Sequence, residues 1–307
     1  MTVLAWPLTL AACLFMYPWA KYLLQRAEGS ALLPTSYRLL LALTTLALSL
    51  GMLTLIMMWI GILGLTIDWR LAGLLCLFIG AAGWFLPARA ITFQPDRQPI
   101  PPQPLRNLML IAYLLVVVIA ALVLFNAVYW PFSLADAVTI YASYGKQIAT
   151  TGSLPVGNLY ETYPMFIPLA YTFVQQMSGW ANEYLAALIP AMLSVGVIGV
   201  AYLLGAELLN RSAGIIAALL IALAPMYTHW ASSGYVDLPC GFFFGMTTLF
   251  IARHDRTRTW PDALLVGLMA GLAAWTKNIG ILVVVSIGLW VFYRLWMSRY
   301  SSEKRAL

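Results

Sequence analysis

The chain has 307 residues, of which 62% are hydrophobic and only 9% charged, too few polar groups to coat a water-soluble globule of that length. Its formal net charge of +6 is scattered in small groups between apolar runs, a pattern that orients a membrane protein and argues against a nucleic-acid partner. Cys13, Cys76 and Cys240 stand in apolar stretches without paired spacing or a neighbouring His, so neither a disulfide framework nor a zinc site is indicated.

Continuous apolar runs without period-two alternation predict helices, and the expected fold is an all-α polytopic transmembrane bundle of about nine spans. The spans fall near residues 4–23, 37–65, 71–86, 107–130, 184–208, 212–227, 236–253, 262–275 and 281–296. The first is read as a retained helix and not a signal peptide, because its first charge is Lys21 and no cleavage site follows. Basic connectors set the direction. Lys21, Arg26 and Arg38, then Arg89, Arg97 and Arg106, then Arg211, then Arg253, Arg256 and Arg258 mark the cytoplasmic loops. Arg294, Arg299, Lys304 and Arg305 place the C-terminus inside, so the N-terminus faces out, and Arg70 is the lone exception to the agreement of the first two basic loops.

Residues 1–86 read as a three-helix membrane module, 87–106 as a Pro-rich cytoplasmic linker and 107–307 as the main membrane core, with one large outer loop over 131–182. Within that loop the segment 163–175 is short for a span and carries Pro164 and Pro168, which suits a re-entrant or interfacial helix. If it crossed, every later basic loop would flip outward. Residues 133–150 carry Leu134, Val138, Tyr141, Tyr144 and Ile148 at helical spacing, opposite Asp136, Thr139, Ser143, Lys146 and Thr150. The expectation is an amphipathic juxtamembrane helix lying on the membrane.

Asp136 reads in two ways: a general base able to take a proton from a hydroxyl, or the N-terminal lock of a capping box begun by Ser133. Asp237, in Tyr235-Val-Asp237-Leu-Pro239, is a second acid on the same face and could equally be an N-cap. Glu161 adds a third acid there, with a solvated loop charge as its bland reading. Lys277 ends a helix at the outer face, where it either holds a lipid phosphate or snorkels at a turn. His229 and His254 fall on opposite faces and cannot share a metal. The pairs Gly241/Gly245 and Gly267/Gly271 have the spacing of close helix contacts. Asn210-Arg-Ser212 fits a glycosylation sequon but lies on the cytoplasmic side.

The order of these parts from about residue 107 onward resembles the GT-C superfamily of polyprenyl-phosphate-sugar-dependent glycosyltransferases, particularly bacterial relatives of protein O-mannosyltransferases and of the lipid A aminoarabinose transferase. Ala135-Asp136-Ala137 and Lys146 carry the resemblance, followed by Tyr163-Pro164 with Pro168 and Leu209-Asn-Arg211-Ser-Ala-Gly214 leading to Ala224-Pro225. Tyr235-Val-Asp237-Leu-Pro239 and Gly271-Leu-Ala-Ala-Trp-Thr-Lys277-Asn-Ile-Gly280 complete it. The resemblance implies Asp136 as acceptor-activating base, assisted by Asp237, with Lys146, Glu161, Tyr163 and Lys277 as the candidates for binding substrate or lipid phosphate.

The partners it implies are a polyprenyl-phosphate-linked sugar, a glycan, lipid or protein acceptor, and the bilayer of a bacterial plasma (inner) membrane. No cofactor is required by the sequence; a divalent metal is left open, with no ligand cluster that demands one. Family members usually continue with further membrane helices, so the chain is expected to be a short member, a fragment or half of a split enzyme. The competing readings are a non-catalytic transporter or lipid-handling protein and an inactive scaffold.

Overall fold

The computed structural model describes residues 2–27, 34–87, 89, 102–155 and 163–306, and every regular element among them is helical. Among the described residues four helices are long and apolar enough to cross a membrane: α3 (Pro34–Ile62), α5 (Gln103–Tyr129), α8 (Glu183–Leu208) and α13 (Ile281–Ala306). Two shorter apolar helices, α4 (Trp69–Ala82) and α9 (Arg211–Leu223), lie beside them. The remaining long elements are α11 (Asp237–Thr257) and α12 (Trp260–Thr276), so the expectation of about nine spans is met for four.

The helix expected over 4–23 is two helices, α1 (Thr2–Ala12) and α2 (Tyr17–Arg26), broken at 13–16. A break inside a bilayer frees backbone groups that lipid cannot satisfy. Here Ser49, buried on α3, accepts the Met16 N–H through Oγ at 3.1 Å. Gly80 on α4 comes so close to the Phe15 carbonyl that a Cβ would sit 2.6 Å from it, which is why a glycine faces the break.

The outer segment also differs from expectation. Most of 163–175 lies in α7 (Phe166–Ser178), whose 13 residues reach about 20 Å against a hydrocarbon layer of about 30 Å. All of them except Gln176 are buried, which makes α7 an interior helix of the protein. It packs against α3, α8 and α6 (Ser143–Thr151). Gly145 lets α6 approach, its absent Cβ leaving room for Tyr171 Cβ, and Thr172 Oγ1 donates to the Gly145 carbonyl at 3.1 Å. The helix expected to lie on the membrane therefore lies on α7. A π-helical segment at Ala137–Ala142 changes its facing: Val138 is exposed, while Ala137, Ile140 and Tyr141 are buried.

The small-residue pairs do not behave as paired helix contacts. Nothing lies within 4 Å of a Cβ built on Gly241, Gly267 or Gly271, and only Gly245 meets a neighbour, Val200. The close crossing is instead Gly205 on α8 with Gly214 on α9. Most of the expected 87–106 linker lies outside the described residues, as does Glu161.

Chain direction then sorts the helix ends. Arg26, Arg38, Arg106, Arg211, Arg256 and Arg258 gather at one end of the bundle, where Arg256 pairs with Glu207 at 3.0 Å and Arg294 pairs with Asp255. A buried ion pair, Arg253 with Asp262 at 3.3 Å, pins α11 to α12 at that end. The starts of α4, α8 and α11 and the ends of α3, α5 and α12 lie at the opposite end. Ser49→Ala is expected to lower stability by about 1–3 kcal/mol, the cost of a buried N–H left without a partner. Thermal unfolding in detergent measures it, and an unchanged midpoint would mean that Met16 does not depend on Ser49.

Candidate functional site

Two carboxylates predicted from the sequence meet at the end opposite the basic cluster, and each has an assigned partner. Asp136 sits at the start of the π-helical segment and makes no side-chain capping bond there. Its Oδ2 instead accepts a hydrogen bond from Tyr235 Oη at 2.8 Å, across 99 residues of sequence. π-helical insertions recur at functional sites because they re-aim a side chain within an otherwise regular helix.

Asp237 opens α11 and likewise makes no capping bond. Its Oδ1 accepts from Lys277 Nζ at 2.5 Å. Lys277 follows the last residue of α12 in extended conformation and is succeeded by a single 3-10 turn, Asn278–Gly280. Gly280 lies directly on the Ala273 carbonyl, where a Cβ has no space, so this glycine sets the tight return that projects Lys277. With Asp237 45% and Lys277 29% exposed, an ion pair of this kind adds only about 0.2–1 kcal/mol to stability. Its significance lies in holding a cation at this spot.

The loop carrying Tyr235 is fixed from below. Tyr171 on α7 donates to the Gly234 carbonyl at 3.0 Å, and Phe132 stacks on the Tyr171 ring at 5.1 Å. Gly234 adopts φ +80° with the Phe132 ring against the position a Cβ would take, so both backbone and space require glycine. Trp230, in α10 (Pro225–Trp230), meets the Tyr235 ring edge to face at 4.3 Å. Tyr141 and Tyr163 form a second edge-to-face pair at 6.3 Å.

Burial raises the Tyr141 phenol well above its ordinary value, and the charges of Asp136 and Asp237 raise it further. Tyr235 is pushed from 10.0 up to about 12 by partial desolvation, then by its hydrogen bond to Asp136 and the charges of Asp136 and Asp237. Both acids thus act on both phenols, which places them in one electrostatic neighbourhood. Beside it a cavity of about 310 Å³ is lined by Asp237, Trp230, Tyr227, Met226, Ile221 and Leu238.

Of the sequence candidates, Asp136, Asp237, Lys277 and Tyr163 come together here; Lys146 does not, and Glu161 lies outside the described residues. Lys146 faces a different cavity with Arg70 and Gln175. Tyr235, Tyr141 and Trp230 were not singled out by sequence reasoning. Tyr235 stood two positions before Asp237 in a quoted motif, but nothing local announces a bond to residue 136. Among the described residues no group of three His, Cys, Asp or Glu side chains comes together.

Residues 162–305 match the family of dolichyl-phosphate-mannose-protein mannosyltransferases. This is a GT-C family, and the resemblance drawn from the sequence is supported over that segment. The matched segment contains Tyr163, Tyr235, Asp237 and Lys277, whereas Asp136 and Lys146 precede it. No curated protein and no solved structure matches the chain significantly.

Because the Tyr235 value in the folded protein is raised, its bond to Asp136 contributes stability fully below pH 10.0 and loses it as pH rises through about 12. Tyr235→Phe is expected to lower stability by about 1 kcal/mol, equally across the neutral range. Thermal unfolding at several buffered pH values checks this. A penalty that disappears within the neutral range would show that the phenol is not the donor.

Proposed function

We propose that the protein is a membrane glycosyltransferase that moves a sugar from a polyprenyl-phosphate donor to an acceptor hydroxyl at the extracytoplasmic face. The basic end of the bundle faces the cytoplasm in this reading, with the N-terminus outside and the C-terminus inside. The shorter apolar helices α4 and α9, with α11 and α12, complete the alternation between faces. A bacterial inner membrane suits the chain, and the acceptor is a glycan, lipid or protein.

The observation that carries the reading is one end of the bundle where a carboxylate held by Tyr235 and a carboxylate paired with an ammonium act on the same two phenols, in a site reached by the segment that matches the mannosyltransferase family. Asp136 keeps one oxygen engaged by Tyr235 and offers the other to the acceptor hydroxyl. As that hydroxyl oxygen bonds to the anomeric carbon, its proton passes to Asp136 and the bond to the donor phosphate breaks. Polyprenyl phosphate leaves with the electron pair, and Lys277 meets the charge that grows on it. Asp237 orients Lys277. Such direct displacement inverts the anomeric centre.

The lipid has a place to lie. An apolar groove of about 710 Å³ runs between α2, α3 and α12, floored by Gly267 and Gly271 and reaching Trp275, just before Lys277. The two glycines that make no helix contact thereby leave width for a chain, and Trp275 Nε1 ties this wall to Thr54 of α3 at 3.2 Å.

Asp136→Asn keeps size and hydrogen bonding but removes the base. Transfer from a synthetic polyprenyl-phosphate sugar should fall by about 10²–10⁴-fold while the thermal midpoint stays near wild type. Undiminished transfer by this variant would remove Asp136 from the reaction.

A further inference from the structure

A second polar cavity lies at the same end of the bundle and is not used by the proposed reaction. It measures about 400 Å³ and is lined by Asp68 and Arg70 at the start of α4, Lys146 on α6, Gln175 and Gln176 near the end of α7, and Trp180. Lys146 comes ten residues after Asp136, a separation of about 15 Å along a helix axis. It is therefore distinct from the Asp136 site.

Several features mark it as built for an anion. Among the described residues neither Arg70 nor Lys146 forms an ion pair. The one acid in the cavity, Asp68, has Oδ1 committed to the backbone N–H groups of Arg70 and Leu71, at 2.6 and 3.4 Å, as the cap of α4. Arg70 lies over the Trp69 ring at 5.7 Å, which steadies the guanidinium without neutralising it.

The neutral groups point the same way. Gln175 is 4% exposed and lines the cavity, and its side-chain amide makes no hydrogen bond within the protein, so the amide N–H is left for a ligand. Next to it Gln176 donates to the Ile67 carbonyl at 2.8 Å and so ties α7 to the α3–α4 turn that leads into Arg70. A guanidinium, an ammonium and an amide N–H converging on one space match the acceptor oxygens of a phosphate ester, which accepts several hydrogen bonds and carries the complementary charge. The exposed indole of Trp180 at the rim suits either an interfacial lipid or a sugar ring.

We propose that this cavity binds a phosphate ester through Arg70, Lys146 and Gln175. The same chemistry is presented by an anionic lipid headgroup and by a phosphorylated glycan. The site gives Arg70 a role at this end of the bundle, and it does not depend on the proposed transfer reaction.

The full chain in detergent is tested by native mass spectrometry against dioleoyl phosphatidylglycerol, with phosphatidylcholine as the reference, and by calorimetry against glucose 1-phosphate, with glucose as the reference. Three proteins are compared: wild type, Arg70→Gln/Lys146→Gln and Gln175→Leu. Wild type should prefer at least one phosphate probe over its reference, and the double variant should bind that probe at least about tenfold more weakly. Loss confined to phosphatidylglycerol assigns the site to lipid; loss with glucose 1-phosphate assigns it to a phosphorylated glycan. Gln175→Leu should also weaken binding without changing net charge. Equal binding by wild type and the double variant, or weakening only when charge is removed, would overturn the proposal, since the second result describes diffuse attraction to surface cations. Unchanged unfolding midpoints confirm that the exposed Arg70 and Lys146 positions tolerate substitution.

Discussion

The arrangement of the whole site depends on how α7 is buried. A 13-residue apolar helix bounded by loop on both sides can lie at the interface, dip into the bilayer or pack inside the protein. Its residues settle this: Phe166, Ile167, Leu169, Tyr171 and Val174 point in different directions around the helix and are all covered. A helix that is apolar all round is stable only where every face has a partner. With α3, α8 and α6 supplying those partners, the chain enters and leaves α7 without crossing, and the end of α5 and the start of α11 share one end of the bundle.

Support for the two acids then comes upward from that buried helix. Tyr171 reaches the Gly234 carbonyl, Gly234 turns the loop, and the loop delivers Tyr235 to Asp136. On the far side the α11–α12 hairpin, locked at its basic end by Arg253 and Asp262, brings Asp237 and Lys277 together at its other end. Neither pair contributes greatly to stability at partly exposed positions. Their value is positional: a carboxylate with one oxygen taken and one offered, and an ammonium whose place is set by an acid and a glycine-tight turn.

Much of this was legible in the residues. Runs of apolar side chains gave α3, α5, α8, α11 and α12 to within a few positions, because spanning length is a one-dimensional property. Asp136, Asp237 and Lys277 were visible as rare charges at helix ends. What stayed hidden required partners distant in sequence: Tyr235 and Asp136 are 99 residues apart, and Lys277 and Asp237 are 40 apart. The π-helical segment after Asp136 breaks the 3.6-residue period on which facing is inferred, so Val138 was assigned to the covered side and Ala137 to neither. The break at 13–16 was invisible because its compensation, Ser49, lies on another helix, and that Lys146 lines a different cavity from Asp136 depends on Arg70 and Gln175, which are distant in sequence.

The two halves of the site must open to the same compartment, and sidedness is measured directly by thiol labelling. Cys13, Cys76 and Cys240 are buried, so single cysteines introduced as Asp136→Cys, Asp237→Cys and Arg258→Cys report on a quiet background. In intact cells a membrane-impermeant maleimide should label positions 136 and 237 and reach position 258 only after permeabilisation. If position 237 labels together with 258 and apart from 136, α7 crosses the membrane and the two carboxylates never meet.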